Sequence, residues 1–237
     1  MFVSKINQFK INRFIKRASE FSPLETEGYN ELFRLLRNNG KKAVRKSLGL
    51  KLLLVSDTHG YLAFGEHRFP KFLDTIGDFD LCVLLGDIHP VEMEKIIDCI
   101  PRENIIGVKG NHDTFSIYSD FGVRDISGTV YEYKGVRFAG LDGSFGYKEG
   151  SYPSHTQYES LEISKSLPKA DVLITHDMMF DDSGRDMAHC GLIGITHYIY
   201  TNSVGYHIHG HIHKSYENEY SNGTMEKSVH LCEYFEI

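Results

Sequence analysis

Three short apolar segments in the first half of the chain each run directly into a polar turn that contains glycine or histidine. These segments are Lys51–Ser56, Asp80–Leu85 and Asn104–Val108. Each has the length and the Leu, Val and Ile content of a strand that is buried on both faces. Helical patterns lie between them, around Pro70–Ile76 and Val91–Ile100. The alternation of strands and helices predicts a parallel βαβαβ unit with buried strands.

The second half of the chain has a different pattern, in which antiparallel pairing is predicted. Such pairs indicate a mixed sheet, or two sheets packed together. The expected elements are a hairpin around Lys134-Gly135, a helix near Gln157–Leu167, a strand at Asp171–Thr175, a helix near Gly191–Tyr200, a strand over Gly205–His213 and a hairpin from Ser215–Tyr220 to Met225–Phe235.

The first 50 residues differ in charge from the remainder of the chain. They hold 11 Lys and Arg against 4 Asp and Glu, whereas residues 51–237 hold 15 against 28. Tyr29, Leu32, Phe33 and Leu36 fall at helical spacing before Gly40. We therefore expect a basic helical N-terminal extension over 1–50 and one domain over 51–237. The extension either packs on its own acidic body, which we favour, or contacts nucleic acid or an anionic membrane surface.

Several features bear on the location of the protein. No run of about 18 apolar residues is present, so no transmembrane helix is expected. Charges interrupt the first residues every few positions, which excludes the apolar core of a signal peptide. The four cysteines are far apart and form no CxxC pair, as is usual for reduced thiols. These features favour a cytoplasmic protein.

Side chains that commonly bind metals stand where the predicted strands end. Ligand sites in open α/β sheets form at the C-terminal ends of the strands. The donors are oxygens and imidazoles without cysteine, a set that suits Mn, Fe, Zn, Ni or Co. In an extended backbone, residues i and i+2 point the same way, so each such pair could reach one ion or adjacent ions. The candidates are Asp57, His59, Asp87, Asn111, His112, His176, His211 and His213.

These residues stand in motifs that resemble those of the calcineurin-like metallophosphoesterase superfamily. Each motif alone is weak, but all of them in order after predicted strands are specific. The stretch His189-Cys190-Gly191 is similar to the small phosphodiesterase-like branch of that superfamily. In order, the motifs are Asp57-Thr58-His59, Gly86-Asp87, Gly110-Asn111-His112-Asp113, the isolated His176, and Gly210-His211-Ile212-His213.

The resemblance implies a four-layer α/β/β/α sandwich of two mixed sheets, with the active site at one edge. It also implies hydrolysis of a phosphate ester, a phosphodiester rather than a monoester, by a hydroxide that bridges two divalent metal ions. His112 would protonate the leaving oxygen and would not bind metal. The first ion would be held by Asp57, His59 and His213, the second by Asn111, His176 and His211, and both by Asp87.

One motif departs from the pattern of phosphoprotein phosphatases. Those enzymes continue Gly-Asp as GDxxDRG, in which a carboxylate orients the catalytic histidine and an arginine grips the phosphate. Here Pro90 and Val91 occupy these two positions. The difference argues against a protein phosphatase and leaves open what orients His112, since Asp113 is expected to point away.

Other interpretations remain open on the sequence. The basic extension allows a nuclease or another nucleic-acid-directed phosphoesterase, or a membrane-bound arm with a lipid-linked pyrophosphate as substrate. A non-catalytic scaffold of the same fold is less favoured, because every metal ligand is kept. We interpret His207 and His209 as core residues, and the scattered Tyr and Phe residues mainly as core. His89, His189 and Asp142 are either structural or line the substrate pocket.

Overall fold

The computed structural model describes residues 5–62, 71, 73–74, 77–148, 150–181, 183 and 186–237. Its α-helices are α1 Lys5–Ala18, α2 Asn30–Asn39, α3 Pro90–Cys99, α4 Ile117–Phe121, α5 Gln157–Ser166 and α6 Ile193–Asn202. Its strands are β1 Lys51–Ser56, β2 Leu81–Leu84, β3 Ile105–Gly107, β4 Arg124–Asp125, β5 Val130–Tyr133, β6 Val136–Leu141, β7 Ser144–Phe145, β8 Ser154–His155, β9 Val172–Thr175, β10 Tyr206–His209, β11 Tyr216–Glu219, β12 Met225–Ser228 and β13 Leu231–Glu236. The helix predicted around Pro70–Ile76 lies mostly outside the described residues.

Two mixed sheets contain most of the strands. The first has the order β13-β1-β2-β3-β4 and the second has the order β11-β12-β10-β9-β6-β5. Strands β1 to β4 are parallel neighbours and α3 connects β2 to β3, which confirms these parts of the predicted βαβαβ unit, and β13 pairs antiparallel with β1. The predicted hairpin forms between β5 and β6, and both residues of its turn have positive φ. Both sheets are therefore mixed.

The burial of alternate residues explains why the sheets stack. In β1, Leu52 and Leu54 belong to the apolar cluster between the sheets, together with Val172 and Ile208 of the second sheet. Leu53 and Val55 point the other way and pack in the cluster that contains residues of α3 and α4. Helices α1, α2, α5 and α6 share a third cluster with the opposite face of the second sheet. The expected α/β/β/α order of layers is confirmed.

The basic extension contributes to the outer helical layer. Leu32, Phe33 and Leu36 of α2 are buried in the same cluster as residues of α6. The segment after α2 has no regular secondary structure, and its backbone bonds to the domain, with Lys41 N–H donating to Tyr200 O at 2.7 Å. Among the helices within the described residues, none is both long and apolar enough to cross a bilayer. The division of the chain at residue 50 stays a prediction.

Two strand predictions were wrong in their extent. Strand β10 ends at His209, so His211 and His213 lie in the following loop, where both have positive φ. The predicted strand Met225–Phe235 is two strands, because the chain turns at Leu231 (φ +67°) and passes from the second sheet to the first. The two-residue strands β4, β7 and β8 were not predicted, since two residues are too few to show a periodic pattern.

Candidate metal centre

The backbone around the strand ends is held in the left-handed region. Within the described residues, eight non-glycine residues have positive φ, and five of them are predicted ligands. This conformation costs about 1–3 kcal/mol per residue and persists where the surroundings fix it, which is common at functional sites. The argument from extended i, i+2 spacing was therefore wrong, because turns bring these side chains together. The five residues are Asp57, His59, Asp87, His211 and His213.

The first group of ligand atoms combines one carboxylate with two imidazoles. His59 Nε2 lies 3.2 Å from His213 Nε2, which in turn lies 3.3 Å from Asp57 Oδ1. Asp57 Oδ2 accepts hydrogen bonds from Ser56 Oγ at 2.6 Å and from His211 N–H at 2.8 Å. Asp57 Oδ1 is buried and, apart from its contact with His213 Nε2, has no hydrogen-bond partner among the described residues. A buried carboxylate oxygen that faces imidazole nitrogens in this way fits a bound cation.

The second group is arranged around His176. Its Nδ1 lies 2.7 Å from the carbonyl oxygen of Leu85, to which it can donate its proton. The lone pair of Nε2 then faces Asn111 Oδ1 at 3.0 Å and Asp87 Oδ2 at 3.6 Å. Hydrogen bonding of one ring nitrogen to a carbonyl is how metal-binding histidines are usually oriented. Three acceptor atoms that converge in this way fit a second cation.

His211 lies beside the second group. Its ring centroid is 5.0 Å from that of His176, and its Nε2 lies 2.8 Å from the carbonyl oxygen of Ala188. With the proton on Nε2, the Nδ1 atom of His211 keeps its lone pair. The ring of His189 is 5.4 Å from that of His211, and His189 Nδ1 contacts Asp186 at 2.9 Å.

Asp87 lies between the two groups. Its Oδ2 is 3.7 Å from His59 Nε2 and 3.6 Å from His176 Nε2. Among the described residues, two sets of three carboxylate and imidazole side chains have ligand atoms within 4.8 Å of one another, namely Asp57-His59-His213 and Asp57-Asp87-His176. The structure therefore brings carboxylates, imidazoles and an amide together without a thiolate, which is the donor set that was expected to hold two divalent ions.

The protonation of the histidines reflects burial and the nearby carboxylates. Burial lowers the pKa of His59 and of His211, so both rings favour the neutral form that binds metal. The Asp57 carboxylate raises the pKa of His213. Burial opposes ionisation of Asp57, but hydrogen bonds and the neighbouring His213 and His176 keep its pKa below the usual range.

Glu92 of α3 fixes the first ligand loop, a role that sequence analysis missed. It is buried, and its carboxylate accepts hydrogen bonds from Gly60 N–H at 2.9 Å, from the Thr58 hydroxyl and from Leu62 N–H. Its sequence signal is weak: one acidic residue beside Met93 on the apolar face of a predicted helix. The three donors flank His59, so Glu92 determines where that ring stands.

Close backbone approach explains two glycines of the motifs. A Cβ atom on Gly110 would lie 2.1 Å from Asp87 Oδ1, and one on Gly210 would lie 1.8 Å from Ser56 Oγ. Any side chain at either position would displace the carboxylate of Asp87 or Asp57. The lack of a side chain at these two positions therefore permits the close approach.

His112 is exposed at the edge of the site. Its backbone N–H donates to Asp87 Oδ1 at 2.8 Å, and its ring centroid lies 5.7 Å from that of His59. Asp113 points away, as expected, because its carboxylate bonds to backbone N–H groups. Among the described residues, no side chain hydrogen-bonds the His112 ring. A cavity of about 90 Å³ lies beside it, lined by His59, His89 and Pro90 among others.

The remaining polar candidates are engaged in the fold. His207 is buried and contacts Thr175 Oγ1 and the Tyr220 hydroxyl, both at 2.9 Å. His209 contacts Glu226 Oε1 at 3.2 Å, so the interpretation of both histidines as core residues is confirmed. Asp142 pairs with His155 and Lys109, and His89 accepts a hydrogen bond from Val91 N–H at the start of α3.

The described Tyr and Phe residues are mainly buried or partly buried, as predicted, but three of them beside the site are exposed. Tyr61, Phe115 and Tyr152 are all exposed. Their positions in the sequence follow no helical or strand periodicity, so only the structure distinguishes them from the buried aromatic residues.

Comparison with known proteins agrees with this geometry. A family model described as the calcineurin-like phosphoesterase superfamily domain matches residues 50–226. The structure of the protein TT1561 from Thermus thermophilus is similar, with 14% identity and a TM-score of 0.56 over 79% of this chain and 99% of that one. A Staphylococcus aureus protein provisionally named a 5'-nucleotidase is similar at 15% identity and a TM-score of 0.51, over 76% of this chain and 48% of that one. Curated proteins give no match.

Proposed function

Because the chain belongs to the calcineurin-like phosphoesterase superfamily, we propose that it hydrolyses a phosphate ester with two bound metal ions, and a phosphodiester in preference to a monoester. The observation that carries this proposal is the position of Asp87, whose Oδ2 lies within 3.7 Å of imidazole nitrogens from both ligand groups. A carboxylate so placed can hold two cations together and offset their repulsion.

The residues of the chain divide the chemistry between them. Two bound ions would supply Lewis acidity to the phosphoryl oxygens and would lower the pKa of a coordinated water. Asp57, Asp87 and the imidazoles would hold these ions, while Glu92 and Asp113 keep the ligand loops in place. His112 is exposed next to His59 and donates a proton to the departing oxygen, a task for which imidazole suits neutral pH.

The proposed preference for a diester is based on the residue four positions after Asp87, where related phosphatases have an arginine. A phosphate monoester carries nearly two negative charges at neutral pH, and a guanidinium binds such a group with two parallel hydrogen bonds. Val91, which is exposed, offers no such donor at the position where related phosphatases have arginine. A diester carries one charge and loses less from this replacement.

The test compares bis-p-nitrophenyl phosphate with p-nitrophenyl phosphate in the presence of Mn²⁺. We expect the full chain to turn over the diester faster, and Asp87→Asn to lose both bound metal and at least about 100-fold in kcat. Asp98→Asn, an exposed aspartate on α3, is the matched control. A metal-loaded protein that turns over neither ester would favour the scaffold interpretation instead.

A nucleic-acid substrate is the second candidate, favoured by the basic side chains on the exposed face of α1. Lys10, Arg13 and Lys16 are exposed, whereas Ile11, Phe14 and Ile15 between them are buried in the core. Deleting the helix would disturb that core, so the test reverses the three charges. If the arm binds DNA or RNA, the triple Glu variant should lose binding at low salt, because phosphate contacts are electrostatic. Binding of the same variant to anionic liposomes tests whether the N-terminal extension lies on a membrane surface, in which case the variant should bind them less than the wild type.

A further inference from the structure

Exposed apolar side chains are concentrated around the candidate metal centre. Within the described residues, eight large hydrophobic side chains are exposed, and three of these lie in the N-terminal extension. Four of the other five stand on loops that carry predicted ligands, bond to such a ligand or adjoin a residue that does, and the fifth, Val91, lies in the first turn of α3. Single exposed apolar residues are ordinary on protein surfaces, but such grouping around one site marks a binding surface. The five are Tyr61, Val91, Phe115, Tyr152 and Met187.

Two of these residues form a pair that is fixed beside the catalytic residues. The ring centroids of Phe115 and Tyr152 are 5.8 Å apart and their planes are tilted by 44°. Phe115 is 74% exposed and follows His112 by three residues. Tyr152 is 52% exposed, and its backbone N–H donates to the carbonyl oxygen of Asn111 at 3.2 Å. Phe115 therefore stands on the loop that carries the proposed proton donor and a predicted metal ligand, and Tyr152 is hydrogen-bonded to that loop from the segment between β7 and β8.

This geometry points to a substrate with a planar aromatic group. The inference rests on the proposed function and extends it: we propose that Phe115 and Tyr152 bind the base of a small nucleoside phosphodiester. Aromatic faces attract planar heterocycles through stacking, and every base has such a face. The tilt between the rings leaves both faces only partly covered by each other. A flat group can therefore pack on one ring and meet the edge of the other.

The charge of the domain favours a small substrate over a long polynucleotide. Residues 51–237 carry 28 acidic against 15 basic side chains, a balance that repels a chain of phosphates. A single phosphodiester brings one charge, which bound metal ions would offset. A neutral base then gains more from Phe115 and Tyr152 than a second phosphate would.

The experiment compares two substrates that share one leaving group. Thymidine 5'-p-nitrophenyl phosphate carries a base, and methyl p-nitrophenyl phosphate does not. For Phe115→Ala and Tyr152→Ala, we expect kcat/KM to fall about ten-fold more for the thymidine ester than for the methyl ester, mainly through KM. Phe115→Tyr should restore the preference. Phe9→Ala, which removes a 66% exposed ring from α1, should leave kcat/KM unchanged for both substrates.

Binding measurements keep this inference separate from the proposed function. If the wild-type protein turns over neither ester, the proposed function fails, and calorimetry with thymidine 5'-monophosphate against methyl phosphate then tests the aromatic pair directly. Base-dependent affinity that Phe115→Ala removes would support it. Equal losses on both ligands, or no loss on either, would overturn it. So would a dimer, seen by sedimentation, that Phe115→Ala dissociates, because the pair would then be an interface.

Discussion

The carboxylate of Asp113 accepts a hydrogen bond from the backbone N–H of Asp87, with 2.9 Å between Oδ2 and the nitrogen. The same carboxylate accepts from the N–H groups of Ile88 at 3.0 Å and Gly110 at 2.7 Å. It therefore joins two ligand loops that are far apart in sequence. Burial raises the pKa of Asp113 to about 7 despite these donors. Asp113 acts on the backbone and not on the neighbouring His112.

We predict that Asp113→Asn weakens both the fold and metal binding. The amide turns one acceptor into a donor that faces backbone N–H groups, and a buried donor without a partner costs about 1–3 kcal/mol. Denaturant unfolding should show a loss of about 2 kcal/mol, and elemental analysis should show less metal per chain. Asp120→Asn, an exposed substitution close in sequence, is the control. Unchanged stability in Asp113→Asn would show that the loops are held by other contacts.

Glu92 gives a second prediction that separates the position of a ligand from its identity. In Glu92→Gln, one oxygen that accepts from Gly60 N–H, the Thr58 hydroxyl or Leu62 N–H becomes a donor group. The loop that carries His59 should then move, although every ligand is kept. We expect metal affinity to fall about 10- to 100-fold, as for other residues that orient ligands. Glu94→Gln on the exposed side of α3 should bind metal normally.

Two histidines beside His59 should respond differently to the same substitution. His213→Gln should lose one of two ions, because it removes a nitrogen that lies 3.2 Å from His59 Nε2. His112→Gln should keep both ions and lower kcat about 100- to 10,000-fold, which is the usual contribution of general acid catalysis. The two variants are distinguished by their metal content, measured by elemental analysis, and by their turnover of the diester. Loss of metal in His112→Gln would make it a ligand and would contradict its proposed role.

The sequence predicted which residues line the candidate site better than it predicted the backbone conformation that brings them together. Asp57, Asp87 and His176 were predicted because polar side chains follow buried strands, and those strands form where expected. The i, i+2 argument failed, because Asp57 and His59 both adopt positive φ, which a sequence pattern for strands does not encode. Hydrogen bonds from the Thr58 hydroxyl and Gly60 N–H to Glu92 stabilise that backbone, and long-range contacts of this kind leave no local signal.

The same reasoning explains the errors in the second half of the chain. Strand β10 was predicted to reach His213, since alternation continues past Gly210. The strand ends at His209 instead, Gly210 lies against Ser56 of the other sheet, and the backbone turns at His211 and His213, where φ is positive. The exposed Phe115 and Tyr152 were not singled out among the aromatic residues, because hydrophobicity alone does not distinguish a binding surface from an interior.

The last prediction concerns stability at low pH and the buried ring of His197 in α6. Its Nδ1 lies 2.9 Å from Ser164 Oγ, and burial lowers its pKa to about 4, with a smaller contribution from Lys165. Below pH 6.5 the unfolded chain binds a proton at this histidine, whereas the folded chain resists it until about pH 4. The contribution of His197 to the free energy of unfolding is therefore fully present above pH 6.5. It falls by about 3 kcal/mol as the pH is lowered from 6.5 towards 4.

His197→Gln should make the free energy of unfolding less dependent on pH in this window, when measured by urea denaturation with a chelator present. The dependence should be reduced and not abolished, because burial also lowers the pKa of His207. Glu226, whose pKa is lowered to about 2, acts separately between pH 4.5 and 2, so its effect remains in the variant. His230→Gln, at a partly exposed position, should keep the wild-type slope. An equal slope in His197→Gln and wild type would mean that His197 is protonated in the folded protein.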